Sequence, residues 1–260
     1  MHSGLALACL TAGSVYMDSL TVAAASGMRS RTESLDMLAN NIANASSAGF
    51  KADQEFYGLY SSAEAEGSAN SALPELPIVA KHWTDFSQGS LSPTGNTLDV
   101  AIAGNGFFVV QTPSGLLYTR NGSFRLSAAG ALETQDGNPV LSSDKTPIPL
   151  DPTQPVDIAA DGTIRQAGQE VARLGVVEFT DLSALSKRGQ AYFGVNASDL
   201  PPKQSNAEVH QGSLEGANQQ PAGAAVRLVN VLRQFEMLQR AMTMGGDMNR
   251  RAIEEVAKVA

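Results

Sequence analysis

The chain has 260 residues, of which 43% are hydrophobic and 17% charged, with 24 glycines and one tryptophan. This is the balance of a folded chain rich in small residues, not of a disordered one. A net charge of −8 without any basic stripe excludes a nucleic-acid surface, and a single cysteine, Cys9, excludes an intrachain disulfide and cysteine-pair metal sites.

Residues 1–16 resemble a secretory leader only superficially. The apolar run 5–10 is short, and no Lys or Arg precedes it. The stretch is expected to be a loose tail, or to precede a true start at Met17. From 17 to 50 the apolar positions Leu20, Ala24, Met28, Leu35, Leu38 and Ile42 follow the 3/4 spacing of a helical seam, with Asp18 or Ser19 able to cap its start. Asn44, Ser46, Ser47 and Gly49 then supply residues that cap, turn or accept a positive φ, so the helix has a defined end.

Between 51 and 86 the pattern dissolves. Residues 61–72 are small and polar and 73–77 contain two prolines, so this region is expected to be an extended linker. Nowhere does the chain reach the roughly 18 apolar residues of a membrane-spanning helix.

From 87 to 212 short β-forming runs alternate with turn signals at Asn105-Gly106, Ser114-Gly115, Asn121-Gly122, Gly130, Asp136-Gly137 and Asp161-Gly162. This spacing predicts a mostly antiparallel β domain. Leu98, Val100 and Ile102 alternate with Asp99 and Ala101 as in a half-buried strand, which Gly104-Asn105-Gly106 would turn into the next. Beside Asn121-Gly122, Arg120 is a candidate partner for Asp99 or a solvated side chain.

Residues 213–260 form a turn and a long helix whose broad apolar face carries Leu228, Leu232, Phe235, Leu238, Met242, Ile253 and Val256, with a kink or packing notch expected at Gly245-Gly246. The class is therefore α+β, with terminal helices flanking one β domain. Each helix has a seam that needs a partner. The two are expected to pair as a coiled-coil-like layer and to meet other chains; a private helical hairpin over the sheet, in a non-catalytic binding or surface-displayed module, is the alternative.

Catalytic constellations are missing. His2, His82 and His210 are isolated from carboxylates and cysteines at ligand or triad spacing, and the glycine turns lack the helix or later acidic ligands that phosphate or calcium loops require. The chain is expected to be no enzyme, with no metal, cofactor or small-molecule substrate.

Four ordered motifs carry a resemblance. The run 39–51, ANNIANASSAGFK, with Asn40, Asn41, Asn44, Gly49 and Phe50, resembles the N-terminal signature of bacterial flagellar rod, hook and hook-associated proteins. The stretch 88–110, with Leu98, Asp99, Gly104, Gly106 and Phe107, is similar to a second family element, and Tyr118-Thr119-Arg120-Asn121-Gly122 to a third. Leu214, Glu215 and Asn218 match the turn that leads into the family's final helix. The resemblance spans about 17–260. Chain length points to the proximal or distal rod branch, and Arg233-Gln234-Phe235-Glu236-Met237 is closer to the proximal type.

The resemblance implies a structural subunit of the basal-body rod that assembles helically through its terminal helices, transmits torque and lines the export channel. Its partners would be copies of itself, other rod proteins and the flagellar export apparatus. It also implies a place spanning the periplasm, reached by export without a cleaved signal peptide.

Overall fold

The computed structural model describes residues 4–60, 76–195 and 201–259. In chain order it runs α1 (Gly4–Ala43), β1 (Asp53–Tyr60), β2 (Leu76–Thr84), β3 (Leu91–Pro93), β4 (Val100–Ala103), β5 (Phe107–Thr112), β6 (Gly115–Thr119), β7 (Phe124–Leu126), β8 (Leu132–Thr134) and β9 (Val156–Ile158). It continues with β10 (Thr163–Gln166), β11 (Gln169–Arg173), β12 (Val176–Glu178), β13 (Leu185–Lys187), β14 (Tyr192–Val195), β15 (Lys203–Gln204), β16 (Glu208–Gln211), β17 (Ser213–Glu215) and α2 (Pro221–Val259). Two compact units result. One holds Met1–Asn40, Gln54–Trp83 and Ala222–Ala260; the other holds Asn41–Asp53 and Thr84–Pro221.

In the first unit, α1 begins well before Met17. The loose tail expected over 1–16 gives way to helix from Gly4, because Leu5, Ala6, Leu7, Ala8 and Leu10 are strong helix formers with no proline among them. Asp18 and Ser19 therefore lie inside the helix and do not cap it. β1 and β2 pair as a two-stranded sheet, so the flanks of the expected linker are strands; its small polar stretch lies outside the described residues. Aromatic and β-branched residues such as Phe56, Tyr57, Ile78 and Val79 favour this pairing over a free linker.

α2 starts on Pro221, whose fixed φ and missing N–H suit the first helical position. It runs without interruption through Gly245 and Gly246, so no helix break occurs there.

The second unit is the β domain, and its strand pairs are antiparallel. Its largest sheet has the order β13-β14-β6-β5-β12-β15. β5 is buried on both sides, and the period-2 pleat sends its side chains to two separate cores. Phe108 joins Val100, Ile102, Phe124, Leu132 and Ile164, and its ring meets Phe124 edge-on at 5.1 Å. Phe107 and Val109 join Tyr118, Leu141 and Phe193 on the opposite face.

Two local expectations change. β4 and β5 do not form a hairpin across Gly104-Asn105-Gly106: β4 pairs with β16, whereas β5 pairs with β6 and β12. β4 is also buried on both faces, since Ala101 is as fully covered as Val100. The expected hairpins at Ser114-Gly115, Gly130 and Asp161-Gly162 do form, joining β5 to β6, β7 to β8 and β9 to β10.

Candidate assembly site

Where the chain leaves α1 and where it approaches α2, the β domain holds both segments in one buried network. Gly49, at φ +66°, lies flat on the Arg120–Asn121 backbone, and any Cβ there would overlap it. Its N–H donates to the Glu215 carbonyl at 2.7 Å. Phe50 is fully buried, and its carbonyl accepts the Asn218 N–H.

Next along the chain, Lys51 is fully buried and donates through Nζ to Glu215 Oε1 at 2.6 Å and to the Ser87 carbonyl at 2.7 Å. The other Glu215 oxygen, Oε2, accepts from Arg120 Nη1 at 3.1 Å. Gly89 N–H also donates to Oε1.

Arg120 is 4% exposed. Its Nη2 donates to the Gly104 carbonyl at 2.7 Å, and its guanidinium stands 5.3 Å from the Phe107 ring centroid. Nε has no hydrogen-bond partner, and the ring contact offsets part of that cost through a cation–π interaction. Glu215 thus neutralises two cations at once. Burial pushes the Lys51 ammonium below its usual range while Glu215 pulls it back up; Arg120 is lowered by burial for the same reason and opposed by the same carboxylate.

Neighbouring side chains complete the attachment. Asn218 accepts the Ala52 N–H on Oδ1 at 2.8 Å and donates from Nδ2 to the Asp85 carbonyl at 2.7 Å. Asn41 exchanges two hydrogen bonds with the backbone of Asp53, so it fixes the chain after the helix and does not bond across a helix pair. Lys187 donates to Asp53 Oδ2 and to the Lys51 carbonyl, both at 2.8 Å, and lies 4.3 Å from the Phe50 ring centroid.

The network overturns the expected pairing of Arg120 with Asp99, and equally a solvated Arg120. Asp99 is instead satisfied by Thr94 Oγ1 at 2.7 Å and Asn96 Nδ2 at 3.1 Å, while Glu215 takes the arginine. The four sequence motifs therefore converge. Gly49 and Phe50, Arg120, and Glu215 and Asn218 meet directly, and Gly104 supplies a carbonyl.

Other motif residues act in support. Gly106, at φ +155°, leaves no room for a side chain against Val176, and Gly122 none against the Val100 carbonyl. Thr119 donates to the Ala191 carbonyl, Tyr118 stacks edge-on with Phe179, and Leu98 packs on the core. Leu214 sits opposite Ser92 in the β17–β3 pair, Asn40 is exposed, and Asn44 follows the last residue of α1 and accepts the Ser47 N–H on its carbonyl. Lys187, Asp53 and Ser87 were not among the expected site residues, since no local spacing links 53 to 187.

The helices carry the expected assembly residues. Over residues 24–43 of α1 the buried positions are Ala24, Gly27, Ser30, Ser34, Leu38 and Asn41, a stripe of mostly small residues at helical spacing. Leu38 is on it; Met28, Leu35 and Ile42 flank it, half-buried. On α2 the inward positions are Ala224, Leu228, Val231, Phe235, Leu238, Met242, Gly245 and Asn249, alternating by four and three. A Cβ on Gly27 would stand 3.3 Å from Leu238 Cδ1, so the two stripes approach there. Leu232 and Ile253, expected on the seam, are 42% and 69% exposed, one rotated off the stripe and one beyond it. The side chains of Leu20 and Val256 lie outside the described residues.

Among the described residues no group of His, Cys, Asp and Glu is placed to hold a metal ion, and no described helix is long and apolar enough to cross a membrane.

Comparison with known proteins agrees with this arrangement in all three parts of the chain. Residues 23–51 match the flagella basal body rod protein family, 101–166 the flagellar hook protein FlgE/F/G D1 domain, and 210–255 the flagellar basal body rod FlgEFG protein C-terminal family. The chain is 34% identical to the flagellar basal-body rod protein FlgF of Caulobacter vibrioides, over 86% of its length and 92% of that protein. It is 33% identical to FlgF of Mesorhizobium japonicum over 84% and 89%, and 32% identical to the rod protein FlgG of Agrobacterium fabrum over 86% and 94%. The family is structural, so the chain is no enzyme. It belongs to the flagellar basal-body rod proteins and within them is FlgF-like.

Proposed function

We propose that the chain is a structural subunit of the flagellar basal-body rod, assembling helically with copies of itself and with other rod proteins through α1 and α2. One observation carries this reading: beyond the buried Ala224, α2 keeps its inward stripe only half-buried while exposing Val226, Val229, Leu232, Met237, Met244, Met248 and Ile253, far more apolar surface than a finished helical hairpin leaves open. The helices pair antiparallel as a two-helix layer. Gly27 and Leu238 stand similar distances along their helices from Ala43 and Pro221, and the chain beyond those ends is joined by the Phe50–Asn218 hydrogen bond.

Repeated heterologous contacts between such layers build a tube. The layer lines the export channel and carries torque, and the buried network transmits load between the helices' ends and the β domain. The subunit reaches this periplasm-spanning position through the flagellar export apparatus, without cleavage of a signal peptide. A tagged full chain should co-purify with basal bodies and retain Met17 or earlier residues by mass spectrometry. Absence from basal bodies overturns the rod reading; processing at a signal-type site overturns the export route.

A further inference from the structure

The methionines of the chain divide by exposure. Six of the eight have described side chains. Met28, Met37 and Met242 are half-buried, whereas Met237, Met244 and Met248 are 60%, 65% and 63% exposed. Steps of seven and four residues place these three within about 40° of one another around α2, so their thioethers form one line along its outward side. Between 233 and 249 they are the only exposed large apolar residues. Leucine has much the same helix propensity and would give as apolar a surface, yet on this helix it stands on the inward stripe, at Leu228 and Leu238. What methionine adds on the outward side is a sulfur lone pair that an oxidant can reach.

We propose that Met237, Met244 and Met248 form a site of reversible sulfoxidation on the unassembled chain, taking a peroxide as oxidant and barring oxidised copies from the rod. The exclusion rests on the rod reading; the site itself does not. The thioether sulfur attacks one peroxide oxygen and the O–O bond breaks. The proton on the transferred oxygen passes to the departing hydroxide, which leaves as water, so sulfur is oxidised by two electrons and the peroxide reduced by two. Each sulfoxide puts a polar, hydrogen-bond-accepting oxygen where the chain had an apolar side chain, and three on one line turn that side of α2 polar. Burying such groups without partners is unfavourable, so the oxidised chain is excluded from assembly. Methionine sulfoxide reductases restore the thioethers and with them the competence to assemble. The helix itself persists, because all three side chains lie off its inward stripe.

The full-length unassembled chain is treated with hydrogen peroxide and its peptides are mapped by mass. Oxygen is expected on Met237, Met244 and Met248 several-fold faster than on Met28, Met37 and Met242; equal rates at all six overturn the proposal. A triple variant, Met237→Gln, Met244→Gln and Met248→Gln, carries the polarity of three sulfoxides and is co-expressed with the parent chain in the flagellated bacterium under a different tag. Basal bodies are expected to hold the parent and little or none of the variant, while the purified variant keeps its helical circular dichroism. Entry of the variant in the parent's proportion overturns the proposal. So does exclusion accompanied by loss of helix, which would mean that these side chains hold α2 together. Absence of the parent itself from basal bodies overturns the rod reading, and the peroxide map still decides the site.

Discussion

Lys51 and Glu215 lie 164 positions apart in the chain, yet their charged ends meet at 2.6 Å with both side chains fully buried. Arg120 reaches the other oxygen of the same carboxylate. One acidic group therefore holds the exit from the first helix, the centre of the β domain and the approach to the last helix.

The charge count makes the three residues unequal. Removing the carboxylate strands two buried cations, and breaking a buried ion pair in this way costs about 3 to 5 kcal/mol. Glu215→Gln should lower the urea midpoint accordingly. Lys51→Met leaves a one-to-one pair between Arg120 and Glu215 and should cost distinctly less. Equal losses in the two variants would show that the carboxylate does not serve both cations.

The same burial makes stability depend on pH on the alkaline side. Desolvation holds the Lys51 pKa in the folded chain below its ordinary 10.5. Between that lowered value and 10.5 the unfolded chain binds more protons than the folded one, so the Lys51 contribution rises with pH across that window and is level below it. Urea titrations at a series of alkaline pH values should show this rise in the parent and a smaller one in Lys51→Met. An identical slope in both would remove Lys51 as the source.

Limited proteolysis should leave a core larger than strand-forming residues alone suggest. Because Gly49, Phe50, Ala52 and Asn218 are tied into the β domain, the protected fragments should begin near Asn41 and end near Pro221, even if the chain is nicked between 54 and 83. Mass mapping of the fragments checks this. A core starting at Phe86 and stopping at Gly212 would mean that the buried network opens in solution.

The two faces of α2 should respond differently to the same chemistry. Leu238→Asp puts a charge on the inward stripe beside Gly27 and should expose both helices to protease in the isolated chain. Leu232→Asp alters a side chain already 42% exposed and should change the stability of the isolated chain by no more than about 0.5 kcal/mol while abolishing incorporation into the rod. Normal motility with Leu232→Asp would assign that position no part in assembly.

What was legible in the sequence was whatever has a short period. The helices and the hairpin at Ser114-Gly115 follow from spacing and turn chemistry within a few residues. On α1 the large apolar residues Met28, Leu35 and Ile42 dominate the pattern, while the stripe that is buried beside Ala24 and Leu38 uses Gly27, Ser30 and Ser34, whose small size permits close approach. On α2, Leu232 fits a three-four pattern with Leu228 and Phe235 as well as Val231 does, so composition alone could not choose between them. The ion network was invisible for another reason. Its members recognise each other only after the β domain has brought 51, 120 and 215 together, and no local pattern marks Glu215 as the partner of either cation.

Glu215 stands in β17, the last strand among the described residues. A polypeptide emerging N-terminus first would present Lys51 and Arg120 long before their counter-charge arrives. Any copy truncated before that point, by premature termination or proteolysis, would have two cations to bury and nothing to neutralise them. A copy lacking Glu215 is therefore expected to lose the buried network that ties Gly49 to Ala52 into the β domain.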